Sequence, residues 1–297
     1  MNSIIINSFA KINLGLLVKE KRPDGYHNIE TIFVPIRLSD KILLKKTDQK
    51  IVLKLPGRGI KIPKGKANLA YKAAELFFKE SGIARGVEIV IEKNIPVGAG
   101  LGGGSSNAAM VLHGLNILSG NLLTKKDLSN LALKIGMDVP FFLTGQACYA
   151  MGRGELLKPI KIPKLNMVLY FPGYPIITKW AYANISQVAS HKSQEKREMV
   201  LTNADLSLKI LREKLVNGDL RNLQRQIRNS FEDLVFAHHP DLAEVKEFFL
   251  IHGAYAASLS GSGSAIFGLV QRNNIAMLKT ALKRNKIEAV FTESTNC

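Results

Sequence analysis

Five glycines in seven residues, Gly98 to Gly104, constrain this chain more than any other feature. They lie within Pro96-Val97-Gly98-Ala99-Gly100-Leu101-Gly102-Gly103-Gly104-Ser105-Ser106-Asn107-Ala108-Ala109. A strand-like alternation over Val87–Glu92 precedes the run, and an apolar helix over Ser106–Leu118 follows it. One or two glycines suit a tight turn with close helix packing; five, ending in two serines, exceed that need. A strand, then glycines, hydroxyls and a helix of small residues presents successive backbone N–H groups at a helix N-terminus. Hydrogen bonding and the helix dipole make such a place hold phosphate. The hydroxyls of Ser105 and Ser106 can bind phosphate oxygens or a magnesium ion.

Two common nucleotide loops do not account for the run. A Walker A loop ends in Gly-Lys-Ser/Thr, and no lysine stands here. Gly98-x-Gly100-x-x-Gly103 has the form of the dinucleotide fingerprint. The helix after it leads to another helix instead of a second parallel strand, which disfavours a Rossmann unit.

Upstream, Ile4–Ile6, Lys11–Val18 and Thr31–Pro35 read as short strands, with alternating patterns over Lys41–Lys45 and Ile51–Leu55. Asn68 is a good N-cap for a helix over Leu69–Glu80, where Leu69, Ala73, Leu76 and Phe77 share a face and Gly82 closes it. Thr124 with Asp127 predicts a capping box and a helix ending at Gly136. Met137–Leu143 and Ala147–Met151 follow. Pro159 and Pro163 mark a boundary that divides the chain into residues 1–163 and 164–297. The second part reads as a strand (Met167–Phe171), several helices between Lys179 and His252, and strands Tyr255–Leu259 and Ala265–Val270. A helix over Ile275–Arg284 and a strand near Ala289–Thr292 complete it. That order is what a ferredoxin-like layer requires, so the expected class is α+β in two domains.

Composition narrows the setting. A chain of 297 residues with 46% hydrophobic and 22% charged residues can bury a sizeable core, which excludes disorder as its main state. Two cysteines, Cys148 and Cys297, are too few for a disulfide scaffold. The apolar runs are of strand length, and Met1–Ala10 lacks the basic start of a signal peptide, so a soluble cytoplasmic protein is expected. The formal charge of +17 is uneven: residues 1–164 hold 25 Lys+Arg against 12 Asp+Glu. Such a balance attracts nucleic acid, acidic membrane or phosphorylated small molecules, or is simply a solvated lysine-rich surface. The basic residues of Lys41–Lys66 have no interleaved aromatics, which gives a nucleic-acid groove little support.

Phosphoryl transfer to an alcohol needs a group to take the hydroxyl proton and cations to neutralise the moving phosphoryl. Asp138 is an acid just past a helix end in apolar surroundings; it can be such a base, or it can cap a turn before Pro140. Lys11, inside the apolar stretch Phe9–Leu17, either points outward from an edge strand or pairs with a buried anion such as Asp138. Tyr26 and His27 follow the turn signal Asp24-Gly25, near a loop tip where ligand contacts are common. His113, His191, His238, His239 and His252 have no metal-site spacing.

The pattern Pro-x-x-x-Gly-Leu-Gly-x-x-Ser-Ser-x-Ala-Ala resembles the ATP-binding motif of the galactokinase, homoserine kinase, mevalonate kinase and phosphomevalonate kinase superfamily. Ala10-Lys11-Ile12-Asn13-Leu14, leading to Lys21-Arg22-Pro23-Asp24-Gly25-Tyr26-His27, is similar to an N-terminal signature of one branch. That branch acts on a cytidine-diphosphate-linked methylerythritol. Leu259-Ser260-Gly261-Ser262-Gly263-Ser264 is similar to the superfamily's third motif.

The resemblance implies an N-terminal domain of the ribosomal-protein-S5-like type, a ferredoxin-like C-terminal domain, and a cleft between them. ATP would rest its phosphates on Pro96 to Ser106, with magnesium held mainly by those phosphates and Ser105 or Ser106 as possible ligands. Asp138 would be the general base and Lys11 its cationic partner. Tyr26 would stack on cytosine, His27 would read the base edge, and Asn13 would bind substrate hydroxyls or phosphate. Tyr182, in preference to nearby Trp180, would supply a second aromatic face. The Gly261–Ser264 loop would close on the phosphate loop. Asn68 and Lys93 are conceivable on the adenine side, and Glu155 has no assigned chemistry. A homoserine- or mevalonate-type kinase is the nearest alternative, and a basic nucleic-acid-binding protein the distant one.

Overall fold

The computed structural model describes residues 1–48, 50–57, 62, 63, 65–83, 86–190 and 206–295; His191 and Cys297 lie outside them. Two long strands, β1 (Ser3–Lys21) and β2 (His27–Thr47), pair antiparallel along nearly their whole length. Where the alternation suggests short separate strands, the chain runs on through register shifts after Phe9, Asn13 and Val18. Such bulges absorb the breaks in pattern and bend the pair without ending it. β3 (Ile51–Lys54), β4 (Gly86–Glu92), β5 (Cys148–Met151) and β6 (Leu156–Pro159) extend this sheet in the order β3-β4-β2-β5-β6, with β1 beside β2.

Helices α1 (Leu69–Ser81), α2 (Gly103–Leu118), α3 (Lys125–Ile135) and α4 (Val139–Thr144) pack with this sheet around a core that includes Ile42, Leu44, Phe77, Val111 and Phe141. Asn68 caps α1 through the Ala70 N–H, and Gly82 ends it in the left-handed region. Thr124 and Asp127 form the reciprocal capping box of α3. Helix α2 begins three residues earlier than the apolar pattern suggests. Gly103 and Gly104 carry no side chain to mark a helical face, yet both join its first turn. Its N-cap, Gly102, offers no side-chain hydrogen bond, so the first N–H groups are left for something else.

The second sheet holds β7 (Asn166–Tyr170), β8 (Ala254–Leu259), β9 (Ile266–Val270) and β10 (Ala289–Glu293) in the order β10-β7-β9-β8, all antiparallel. This is the ferredoxin-like arrangement. Helices α5 (Thr178–Ser190), α6 (206–216), α7 (Glu232–His238) and α8 (Pro240–Ile251) link β7 to β8, and α9 (Ile275–Arg284) links β9 to β10. The two halves do not have wholly separate cores. Ile12, Leu14, Ile32 and Val34 of the long strand pair belong to one cluster with Leu208, Leu211, Met167 and Phe267. The chain is therefore an α+β protein in which the strand pair is buried against both halves.

Candidate active site

Along the junction of the halves runs a cleft of about 940 Å³. It is lined by Lys11, Asn13, Tyr26, His27, Asp138 and Tyr182, and by every residue from Pro96 to Ser105. Ser262 and Gly261 reach it from the loop after β8. Residues far apart in sequence thus meet at one place.

The glycine-rich loop is fixed through its carbonyls. Those of Gly98, Ala99 and Leu101 accept from the N–H groups of Ile176, Ala265 and Lys11, at 3.2, 3.2 and 3.0 Å. The Gly100 carbonyl accepts from Lys11 Nζ at 2.9 Å and Ser260 Oγ at 3.1 Å. Among the described residues, no protein acceptor takes the N–H groups of residues 98 to 105. With carbonyls turned into the protein and donors left over at the start of α2, the loop is an anion cradle. Gly100 is essential to it. Its φ is +76°, and a Cβ there would stand 2.0 Å from the Ser260 carbonyl oxygen. The Gly261–Ser264 loop therefore does lie against the glycine-rich loop.

Ser105 reaches the cleft; Ser106 does not. Ser106 is buried, and its hydroxyl accepts from Ser8 at 2.7 Å. The expectation that it meets phosphate or magnesium is corrected by that burial. Asn107 also bonds Ser8, and it donates to Asp40 at 2.8 Å. Sequence reading missed Asp40, a wholly buried carboxylate that accepts from the Asn94 and Ile95 N–H groups at 2.8 Å each and pairs with Lys93 Nζ. It thereby pins the end of β4 to α2 directly behind the loop. Its only sequence signal is an acid in an otherwise alternating strand. Asn68, besides capping α1, donates to the Pro63 carbonyl.

Lys11 and Asn13 share a face of β1. Lys11 is 4% exposed, and its Nζ donates to Asn13 Oδ1 at 2.5 Å. Asn13 Nδ2 in turn donates to Thr31 Oγ1 at 2.9 Å, so Asn13 orients Lys11. Burial lowers the Lys11 pKa, and the negative charge of Asp138 opposes that fall. The pair acts through space: no ion pair within 4.0 Å joins them among the described residues. Asp138 stands at the N-cap position of α4, makes no capping hydrogen bond, and lines the cleft. The Gly154 backbone lies close to it, with a Cβ position 3.8 Å from Asp138 Oδ1.

At the far end, His27 and Tyr182 stack with centroids 5.4 Å apart, and Tyr182 meets the Phe231 ring edge-on. Tyr182 thus stacks on His27 and, as expected of the second aromatic, lines the cleft. Trp180 packs against His238 and does not line the cleft. Burial, then the nearby charge of Lys21, hold the His27 imidazolium below its ordinary pKa of 6.5, leaving the ring neutral at pH 7. Tyr182 is pushed upward by burial and by Asp138, so its hydroxyl stays protonated. Tyr26 is 51% exposed, with the Arg153 guanidinium 5.2 Å from its ring centre. Arg153 was not singled out from sequence. Glu155, without a role there, accepts from the Arg153 N–H and from its Nε at 2.5 and 3.1 Å. Among the described residues, no three His, Cys, Asp or Glu side chains gather as a metal site, and no helix is long and apolar enough to cross a membrane.

Known proteins resemble this chain over nearly its whole length. The GHMP kinases N terminal domain matches residues 68–146, and the GHMP kinases C terminal matches residues 211–288. The chain is 39% identical over 295 residues to a 4-diphosphocytidyl-2-C-methyl-D-erythritol kinase of Chlorobium phaeobacteroides (strain BS1), covering 99% of this chain and 98% of the relative. It is 38% identical to one of Alkaliphilus metalliredigens (strain QYMF), covering 97% and 94%. A crystal structure of 4-(cytidine 5'-diphospho)-2C-methyl-D-erythritol kinase superposes with a TM-score of 0.78 at 34% identity, over 99% of this chain and 100% of that one.

Proposed function

The chain belongs to the GHMP kinases, ATP-dependent kinases of small molecules, and among them to the 4-diphosphocytidyl-2-C-methyl-D-erythritol kinases; from that premise we propose how its cleft works. The reaction is transfer of the terminal phosphoryl group of ATP to the 2-hydroxyl of 4-diphosphocytidyl-2-C-methyl-D-erythritol. One observation carries the reading: a single cleft joins the anion cradle to the His27–Tyr182 stack, with Lys11 and Asp138 along its wall.

ATP rests its phosphates on the N–H groups of residues 98 to 105, where the positive end of α2 favours negative charge. Magnesium bound with the ATP phosphates would supply charge neutralisation on the transferring group, and Ser105, which lines the cleft, is the residue that would help hold it. Asp138 takes the proton of the attacking hydroxyl. Lys11, anchored by Asn13 and the Gly100 carbonyl, holds positive charge beside the reacting oxygen and the Asp138 carboxylate. A general base placed in this way contributes about 10²–10⁴-fold to the rate. Tyr26 offers its face to cytosine, and His27, neutral and backed by Tyr182, hydrogen-bonds the base edge.

The same reading assigns the step to non-mevalonate isoprenoid synthesis and the enzyme to the cytoplasm, with a small molecule as its partner in preference to nucleic acid or membrane. Residues 1–163 form the ATP-binding and catalytic domain and 164–297 the second domain. The test is ADP release with magnesium-ATP, comparing the cytidylylated methylerythritol with mevalonate and homoserine. Turnover of the cytidylylated alcohol alone is expected. Turnover of another alcohol alone would keep the phosphate cradle and remove the base pocket.

A further inference from the structure

Tyr26 presents a difficulty for any role in reading a base. It is 51% exposed, follows a turn, and has none of the packing that fixes His27. An exposed ring that must be held flat against a ligand loses rotamer freedom on binding. The structure meets this with Arg153. Its guanidinium lies 5.2 Å from the Tyr26 ring centre, a cation over a π face. Two carboxylates hold it there. Glu155 Oε1 takes its Nε at 3.1 Å, and Asp24 Oδ2 stands 3.8 Å from one terminal nitrogen. Asp24 also accepts from the Tyr26 N–H at 3.2 Å, so the same carboxylate serves both backbone and counter-ion. Arg153 is 27% exposed at its side chain and lines the cleft, and its neighbour Gly154 abuts Asp138.

We propose that Arg153 is a positioning residue for substrate specificity: held by Glu155 and Asp24, it covers one face of Tyr26 and fixes the ring so that the other face receives the base. The inference rests on the reading of the cleft as a cytidine site. Arginine suits the task where lysine does not, because its planar fork stacks on the ring while its edge bonds the carboxylate. The segment Gly152–Glu155 thus serves two parts of the reaction, with Arg153 at the base and Gly154 at the proton acceptor.

A double-mutant cycle tests it: wild type, Arg153→Met, Tyr26→Leu and the pair, with KM and kcat measured separately for ATP and for the cytidylylated alcohol. Arg153→Met is expected to raise KM for the cytidylylated alcohol roughly three- to tenfold, as loss of one cation–π contact implies. Its kcat and its KM for ATP should stay near wild type. In the Tyr26→Leu background the same change should have no further effect, and Arg153→Lys should restore only part of the loss. An equal penalty with and without Tyr26, or a loss that falls on ATP, would overturn the proposal. Calorimetric titration with CDP separates it from the reading beneath it. Wild-type protein that does not bind CDP overturns both, whereas normal CDP binding with an additive cycle overturns only the role of Arg153.

Discussion

At the glycine-rich end of the cleft the groups left open are backbone N–H donors, held because carbonyls 98 to 101 are tied into β1 and two segments of the second half. Behind them stands a buried polar network of Ser8, Asp40, Lys93, Ser106 and Asn107. At the other end the groups are side chains, Tyr26, His27, Arg153 and Tyr182, drawn from three stretches of chain and partly open to water. The difference teaches which kind of damage each end can suffer. The cradle is continuous with the core, so a substitution there loosens the fold as well as the site. At the aromatic end Tyr182 packs on the core through Phe231, whereas Tyr26, His27 and Arg153 stand on a finished fold, so a substitution at those three changes recognition and little else.

Four changes sharpen or break that contrast. The largest effect falls between the two ends: Asp138→Asn should lower turnover about 10²–10⁴-fold while ATP affinity, measured by direct titration, stays intact. Undiminished turnover would remove Asp138 as the base. Next comes Asp40→Ala, which leaves Lys93 without its buried partner and frees the Asn94 and Ile95 N–H groups. Breaking a buried pair costs about 3–5 kcal/mol, so a marked fall in Tm is expected together with weaker ATP binding. A stable variant would show that the cradle does not depend on the core. Gly100→Ala should cost about 1–2 kcal/mol for its left-handed backbone alone. The contact with Ser260 adds to that, and the joint loss of Tm and ATP affinity is the signature to look for.

The smallest effect belongs to the aromatic end and concerns pH. Burial holds the folded-state pKa of His27 below 6.5. The neutral ring is therefore favoured by folding. Its contribution is complete above pH 6.5 and is lost as pH falls through the lowered value. KM for the cytidylylated alcohol should be flat from neutral pH upward and should rise only in acid, with KM for ATP unaffected by this group. A rise toward alkaline pH would point to a charged His27 as the reader.

The same contrast explains what the sequence could tell. The cradle was legible because it is local: glycines, serines and a helix start sit in one run, and that order alone predicts open backbone donors at a helix N-terminus. The ferredoxin-like half was legible for a similar reason, since its strands and helices follow one another in the required order. Asp40 was not legible, because its four partners come from residues 93 to 107 and nothing in the strand around it announces them. Arg153 and Glu155 escaped because their meaning depends on Tyr26, well over a hundred positions away in the chain. The continuity of β1 and β2 escaped because bulges interrupt the alternation that marks a strand. Ser106 misled because neighbouring serines look alike in sequence, while a helix turns the second one away from the first.

The three amides that hold the glycine-rich loop, those of Lys11, Ile176 and Ala265, belong to parts of the chain that are remote from one another. Each can exchange its hydrogen with solvent only when the loop carbonyl it serves is released. All three therefore report on the same short loop. A nucleotide that steadies the loop should slow all three together, and an event that frees the Ile176 or Ala265 amide lets go of the seam between the two halves, since those two bonds cross it.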